Sequence, residues 1–172
     1  MTHREEGRLA RQFEVVFRGS GTVIVVDLLE EEAPITCEDF WESIAEPVEA
    51  TLHHGRECGP ELWCYVPAPP QEPPYENSTV FPEHGDVLYY HFLQPASRDA
   101  KMVYDIGIYW DRGQSKIAQG WLPGNLFARV RGADQLEALR REAGRLLLKG
   151  DVAVILRRKA EVRDPVRPRE RG

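Results

Sequence analysis

Apolar and polar residues alternate along this chain in short runs of strand period, interrupted twice by a helical period. Phe13–Arg18 (F-E-V-V-F-R) predicts a short strand. Gly19–Gly21 (G-S-G) predicts a turn, because glycine takes positive φ without steric cost. Thr22–Leu28 is almost continuously apolar and β-branched in its middle, the pattern of a strand buried on both faces. Pro34 then forms a corner before a helix. Thr36 is placed as its N-cap, with Asp39 three residues on. Cys37, Phe40, Trp41 and Ile44 fall on one face of that helix, and Pro47 ends it.

The alternation resumes in Val48–Arg56 and Leu62–Val66, two strands flanking a turn at Gly59–Pro60. Pro67–Pro82 holds six prolines in sixteen residues and predicts a long, locally stiff loop. Val87–Phe92 and Val103–Trp110 follow as strands, with a polar loop at Gln94–Lys101. Trp121–Gly124 predicts a turn into a strand over Asn125–Val130. Asp134 is placed as the cap of a second helix, whose stripe is Leu136, Leu139, Ala143 and Leu146 and whose end is marked by Gly150. Asp151–Leu156 is a last strand. Two helices this far apart do not fit an alternating parallel sheet. The expected fold is therefore mainly β, a closed barrel of about eight strands capped by two α-helices.

The length of 172 residues suits one domain, with a chain able to bury roughly 70% of its unfolded surface. The expected organisation is a flexible arm over 1–12, a barrel over 13–158 and a basic Pro/Arg-rich tail over 159–172. Net charge is −6. Arg157–Gly172 holds seven basic and three acidic residues, so the remainder carries −10. Such an acidic body repels phosphate backbones and argues against nucleic-acid binding. No apolar run approaches the roughly 18 residues of a membrane span. The N-terminus lacks the apolar core of a secretory signal, so a cytoplasmic address is expected. Cys37, Cys58 and Cys64 do not suggest a disulfide framework.

Three segments carry a family resemblance. A strand, the segment A-P-I-T and a helix containing Phe40 resemble the opening of the cyclophilins. Pro82–Tyr90 (P-E-H-G-D-V-L-Y-Y) resembles a cyclophilin strand introduced by a Pro–Gly pair. Trp121–Val130 (W-L-P-G-N-L-F-A-R-V) is similar to the cyclophilin W-L-x-G segment. The resemblance runs from about Phe13 to Arg158. It is closer to a bacterial and archaeal group of small cyclophilin-like proteins without assigned function, in which that last segment is a hallmark. It implies a cyclophilin-like barrel.

The isomerase signature is not matched. Glu49–Arg56 (E-A-T-L-H-H-G-R) stands where the isomerases carry their Phe-x-Arg pattern, and Y-D-I-G-I-Y-W replaces their Gln-Phe-Phe strand. The expected function is therefore a non-enzymatic binding module for a small molecule or extended peptide. Its groove is placed at His54, Arg56, Trp63, Tyr89, Tyr109, Trp121 and Asn125. The alternatives are a prolyl isomerase using Arg56, and a small-molecule hydrolase using His54 with Glu57 or Glu61. No cofactor is expected. His53, His54, Cys58 and Cys64 lack zinc-ligand spacing, so no metal is expected either. The acidic run Glu30–Glu32 reads as a solvated face, and Ser20 between its glycines as a hairpin turn.

Overall fold

The computed structural model describes residues 10–93 and 101–160. Residues 1–9 of the expected arm, the tail from residue 161 and most of the loop before residue 101 lie outside the described residues. The elements are β1 (Gln12–Phe17), β2 (Val23–Leu28), α1 (Pro34–Ser43), β3 (Val48–His54), β4 (Glu61–Tyr65), β5 (Ser78–Thr79) and β6 (Asp86–Leu93). They continue with β7 (Met102–Tyr109), β8 (Lys116–Ile117), β9 (Gly120–Trp121), β10 (Gly124–Val130), α2 (Ala133–Lys149) and β11 (Val152–Arg158).

Eight antiparallel strands close into a barrel in the order β2-β1-β11-β3-β4-β7-β6-β10, and β10 pairs back onto β2. Closure leaves no long free edge to pair with another chain. The expected mainly-β barrel with two helices is what forms. β5 adds a two-residue rung to β10 from within the proline-rich loop, and β8 with β9 makes a separate small hairpin. Neither has the length to show as a periodic pattern.

The period-two pattern decides what faces inward. Phe13, Val15 and Phe17 of β1, Ile24, Val26 and Leu28 of β2, and Leu62 and Cys64 of β4 all enter one core. β2 is not buried on both faces as its composition predicts; Val23, Val25 and Asp27 on its second face are only half-buried. In β10 the pairing with β6 slips between Leu126 and Ala128. This bulge turns two successive residues, Phe127 and Ala128, into the core. Phe127 then meets Phe13, Phe40 and Tyr89, with ring centroids 4.9–6.4 Å apart.

The helices sit at opposite ends of the barrel. α1 lies where β2 ends and β11 ends, and the Arg158 guanidinium donates to the Trp41 carbonyl while stacking on its ring. α2 lies where β2 begins: Gln135 accepts from the Val25 N–H, and Glu142 accepts from the Thr22 hydroxyl. Both predicted caps differ from what forms. Pro34 is itself the first helical residue, where its missing N–H is no loss. Thr36 lies inside the helix, buried, with its hydroxyl accepting from the Asn125 amide. α2 starts from Gly132, and Asp134 sits in its first turn without capping it.

Candidate functional site

The outward face of β4, β7 and β6 is where the chemistry gathers. Because Leu62, Cys64, Ile106 and Ile108 point inward, their neighbours Glu61, Trp63, Tyr65, Asp105, Gly107 and Tyr109 must point out. The register sets Glu61 beside Tyr109, Trp63 beside Gly107, and Asp105 between Tyr65 and Tyr90. Around Glu61, Asp105 and Tyr109 this face is covered, while Tyr65 at its edge stays 46% exposed. The chain after β7 folds back over it, with the Ser115 N–H donating to the Val80 carbonyl and the Gly113 N–H to the Pro82 carbonyl. Leu88, Tyr90 and Tyr109 form a second small core beneath that cover. A cavity of about 310 Å³ remains between wall and cover.

Glu61 lies across the cavity floor and is 5% exposed. Two glycines make room for it. A Cβ at Gly107 would overlap a Glu61 carboxyl oxygen, and one at Gly55 would come within 2.8 Å of the other. Burial pushes the Glu61 carboxyl above its ordinary range, and contacts with the Cys58 thiol and the Tyr109 and Tyr90 hydroxyls offset part of this. Each of these three groups also has an acceptor of its own. The thiol donates to the Lys116 carbonyl at 2.9 Å. Ser115 gives its proton to the Leu122 carbonyl, so Tyr90 must donate to Ser115 at 2.8 Å and Tyr109 to Tyr90 at 2.9 Å.

Asp105 also lines the cavity, at 6% exposure. Burial, followed by the nearby Glu61 charge, holds its carboxyl well above the usual carboxylate range. Burial and the Glu61 charge likewise push the Cys58 thiol up to about 12, so it is not a poised nucleophile.

The predicted groove residues divide. His54, Arg56 and Trp63 line this cavity. His54 is tied on both ring nitrogens. Nδ1 lies 2.9 Å from the Gly55 carbonyl, which requires the proton there, and Nε2 accepts from the Trp110 indole at 3.4 Å. Tyr109 stands behind the floor as part of the hydroxyl chain. Tyr89 faces the barrel core, opposite Tyr90, and its hydroxyl has no hydrogen-bond partner. Trp121 is 55% exposed on the β8–β9 hairpin and packs edge-on against Phe81. Asn125 is buried in a structural knot, donating to Thr36 and to the Pro74 carbonyl and accepting from Ser78. Asp105, Ser115 and Phe92 line the same cavity and were not singled out from the sequence. The available signal was an acidic residue inside an apolar strand, V-Y-D-I-G-I-Y. Among the described residues no group of three or more His, Cys, Asp or Glu is arranged to hold a metal ion, and no helix is long and apolar enough to cross a membrane.

A family profile matches residues 15–157, from within β1 to within β11. The chain belongs to DUF3830. That family is described as a protein of unknown function. No curated protein matches the sequence. Among solved structures, this DUF3830 barrel is similar to McbB, seen in complex with tryptophan, with a TM-score of 0.65 and 18% identity. The match covers 90% of this chain and 47% of that one, so the chain spans about half the length of McbB. At this identity the likeness is one of fold.

Proposed function

We propose that this DUF3830 protein is a non-enzymatic binding module for a small organic molecule, held in the covered cavity on the flank of the barrel. The observation that carries the reading is the cavity itself. It is about 310 Å³, walled by Trp63, Tyr65 and Phe92, with polar groups converging on its floor. That size and mix of apolar wall and few polar groups are those of small-ligand sites. McbB, which shares the barrel, holds tryptophan; this supports a small-molecule occupant over an extended peptide. The closed barrel with a helix at each end also accords with the cyclophilin-like relation proposed from the motifs. The hydrolase alternative is disfavoured, since both nitrogens of His54 are engaged.

A ligand-observed NMR fragment screen tests the reading. Fragments that bind should lose binding in Trp63→Ala and keep it in Trp121→Ala. A fragment lost from the Trp121 variant and retained by the Trp63 variant would place the site on the β8–β9 hairpin and overturn the proposal.

A further inference from the structure

Among the described residues four acidic side chains are nearly fully buried, and they fall into two kinds. Asp86 and Glu142 are matched by cations: Asp86 accepts from Arg129 at 2.7 Å, and Glu142 pairs with Arg145. Among the described residues, Glu61 and Asp105 have no cation against them and nothing donates a hydrogen bond to the Asp105 carboxyl. Yet these two face the same cavity. Arg56 and Lys116 are at the cavity wall but form no ion pair with either carboxyl. A protein does not retain unmatched buried carboxyls for stability, because desolvation penalises them. A missing positive charge delivered by the occupant removes that penalty.

We propose that the floor of the cavity receives the protonated amino group of a small aryl-alkyl amine, with Glu61 and Asp105 as its two acceptors. This inference rests on the cavity being a binding site. Trp63, Tyr65 and Phe92 surround the carbon skeleton, and aromatic faces also attract a cation. An ammonium group, with three donors, suits two separate carboxyls better than a neutral hydroxyl does. A divalent metal is less well served, since two carboxyls and phenolic hydroxyls form no closed ligand set.

Binding is then coupled to protons. Burial raises the Glu61 carboxyl, and burial with the nearby Glu61 charge raises that of Asp105, so wherever a carboxyl of the pair still holds its proton the amine must displace it to gain a carboxylate. Affinity therefore rises with pH and falls on acidification, by up to about tenfold per pH unit for each proton released. The other titratable or charged groups facing the pair are Tyr90 on β6, Tyr109 on β7, His53 and His54 on β3, and Arg56, Glu57 and Cys58 in the β3–β4 loop. Tyr65 on β4, Lys116 on β8 and Asp151 before β11 complete the set among the described residues.

Isothermal titration of the full chain with phenethylamine, its neutral isostere 2-phenylethanol, and zinc or calcium ions tests the proposal. The amine should bind about tenfold or more tightly than the alcohol at mildly alkaline pH. Its observed heat should vary with the ionisation enthalpy of the buffer. Glu61→Gln and Asp105→Asn should each remove the preference while leaving alcohol binding in place, which shows the cavity intact. If the alcohol binds as tightly as the amine in the native protein, the charge assignment is overturned while the binding-module reading stands. If a metal ion binds at Glu61 and Asp105 and the amine does not, the ligand class is wrong. If neither the amine nor the alcohol binds at millimolar concentration, the cavity reading falls and this inference with it.

Discussion

Asp86 and Asp105 occupy equivalent depths in neighbouring antiparallel strands, and their surroundings could hardly differ more. Asp86 is 2% exposed, accepts from the Glu83 N–H at 2.8 Å and is clamped by Arg129. Asp105 is 6% exposed and faces a cavity with Glu61 as its charged neighbour. The first arrangement fastens the β6–β10 pairing to the turn at Gly85. The second leaves two carboxyls competing to ionise. A buried charge matched by the fold reads as architecture. One matched by nothing in the fold reads as a site awaiting its counter-charge.

That contrast breaks most readily at Asp86. Asp86→Ala strands the Arg129 guanidinium and the Glu83 N–H, and should cost about 3 kcal/mol in urea unfolding. An effect below about 1 kcal/mol would mean the clamp is not structural. Gly107→Ala comes next, at about 2 kcal/mol, since the new methyl overlaps the Glu61 carboxyl. The double variant Gly107→Ala with Glu61→Ala should recover part of that loss, and strict additivity would contradict the wedge.

Asp105→Asn should act in the opposite direction. Its carboxyl is raised in the folded state, so its favourable contribution is fully present below the unfolded value and is lost as pH rises through the folded one. The native protein should therefore lose stability as pH climbs above the ordinary carboxylate range. The Asn variant should flatten that decline and gain about 1 kcal/mol at mildly alkaline pH, read as a rise of roughly 2–4 °C in melting temperature. A variant less stable than the native protein at every pH would show that Asp105 has a structural partner after all. Smallest is Trp121→Ala, which should stay within about 0.5 kcal/mol because its ring is largely in solvent.

Much of the fold was legible because its signals are local. Phe13, Val15 and Phe17 alternate, Phe40 and Ile44 recur at helical spacing, and Gly150 closes α2 with a φ of 88°. The helix starts were less legible, since Pro34 and Gly132 begin the helices without a side-chain cap. Of the residues placed in the groove from their type, His54, Arg56 and Trp63 line the cavity. Tyr89 faces the core and Tyr90 the cavity, a choice the sequence leaves open because a strand's two faces look alike until the barrel closes. Trp121 was singled out for a motif that belongs to the turn into β10, and Asn125 as a polar group near the aromatics.

The sequence by itself determined the elements: which stretches extend, which coil, where glycine and proline interrupt, and how many strands a barrel could use. Backbone propensity and periodicity act over a few residues and need no partner. Only the tertiary structure decided that β4 lies beside β7, that Gly107 leaves its space to Glu61, and that Asp105 shares the same floor. Those relations join positions more than forty residues apart through strand register, which no local pattern encodes. The meeting of the two carboxyls in the candidate site belongs to this second kind. Its two carboxyls are ordinary in the sequence and become unusual only once the barrel closes and the segment after β7 covers them.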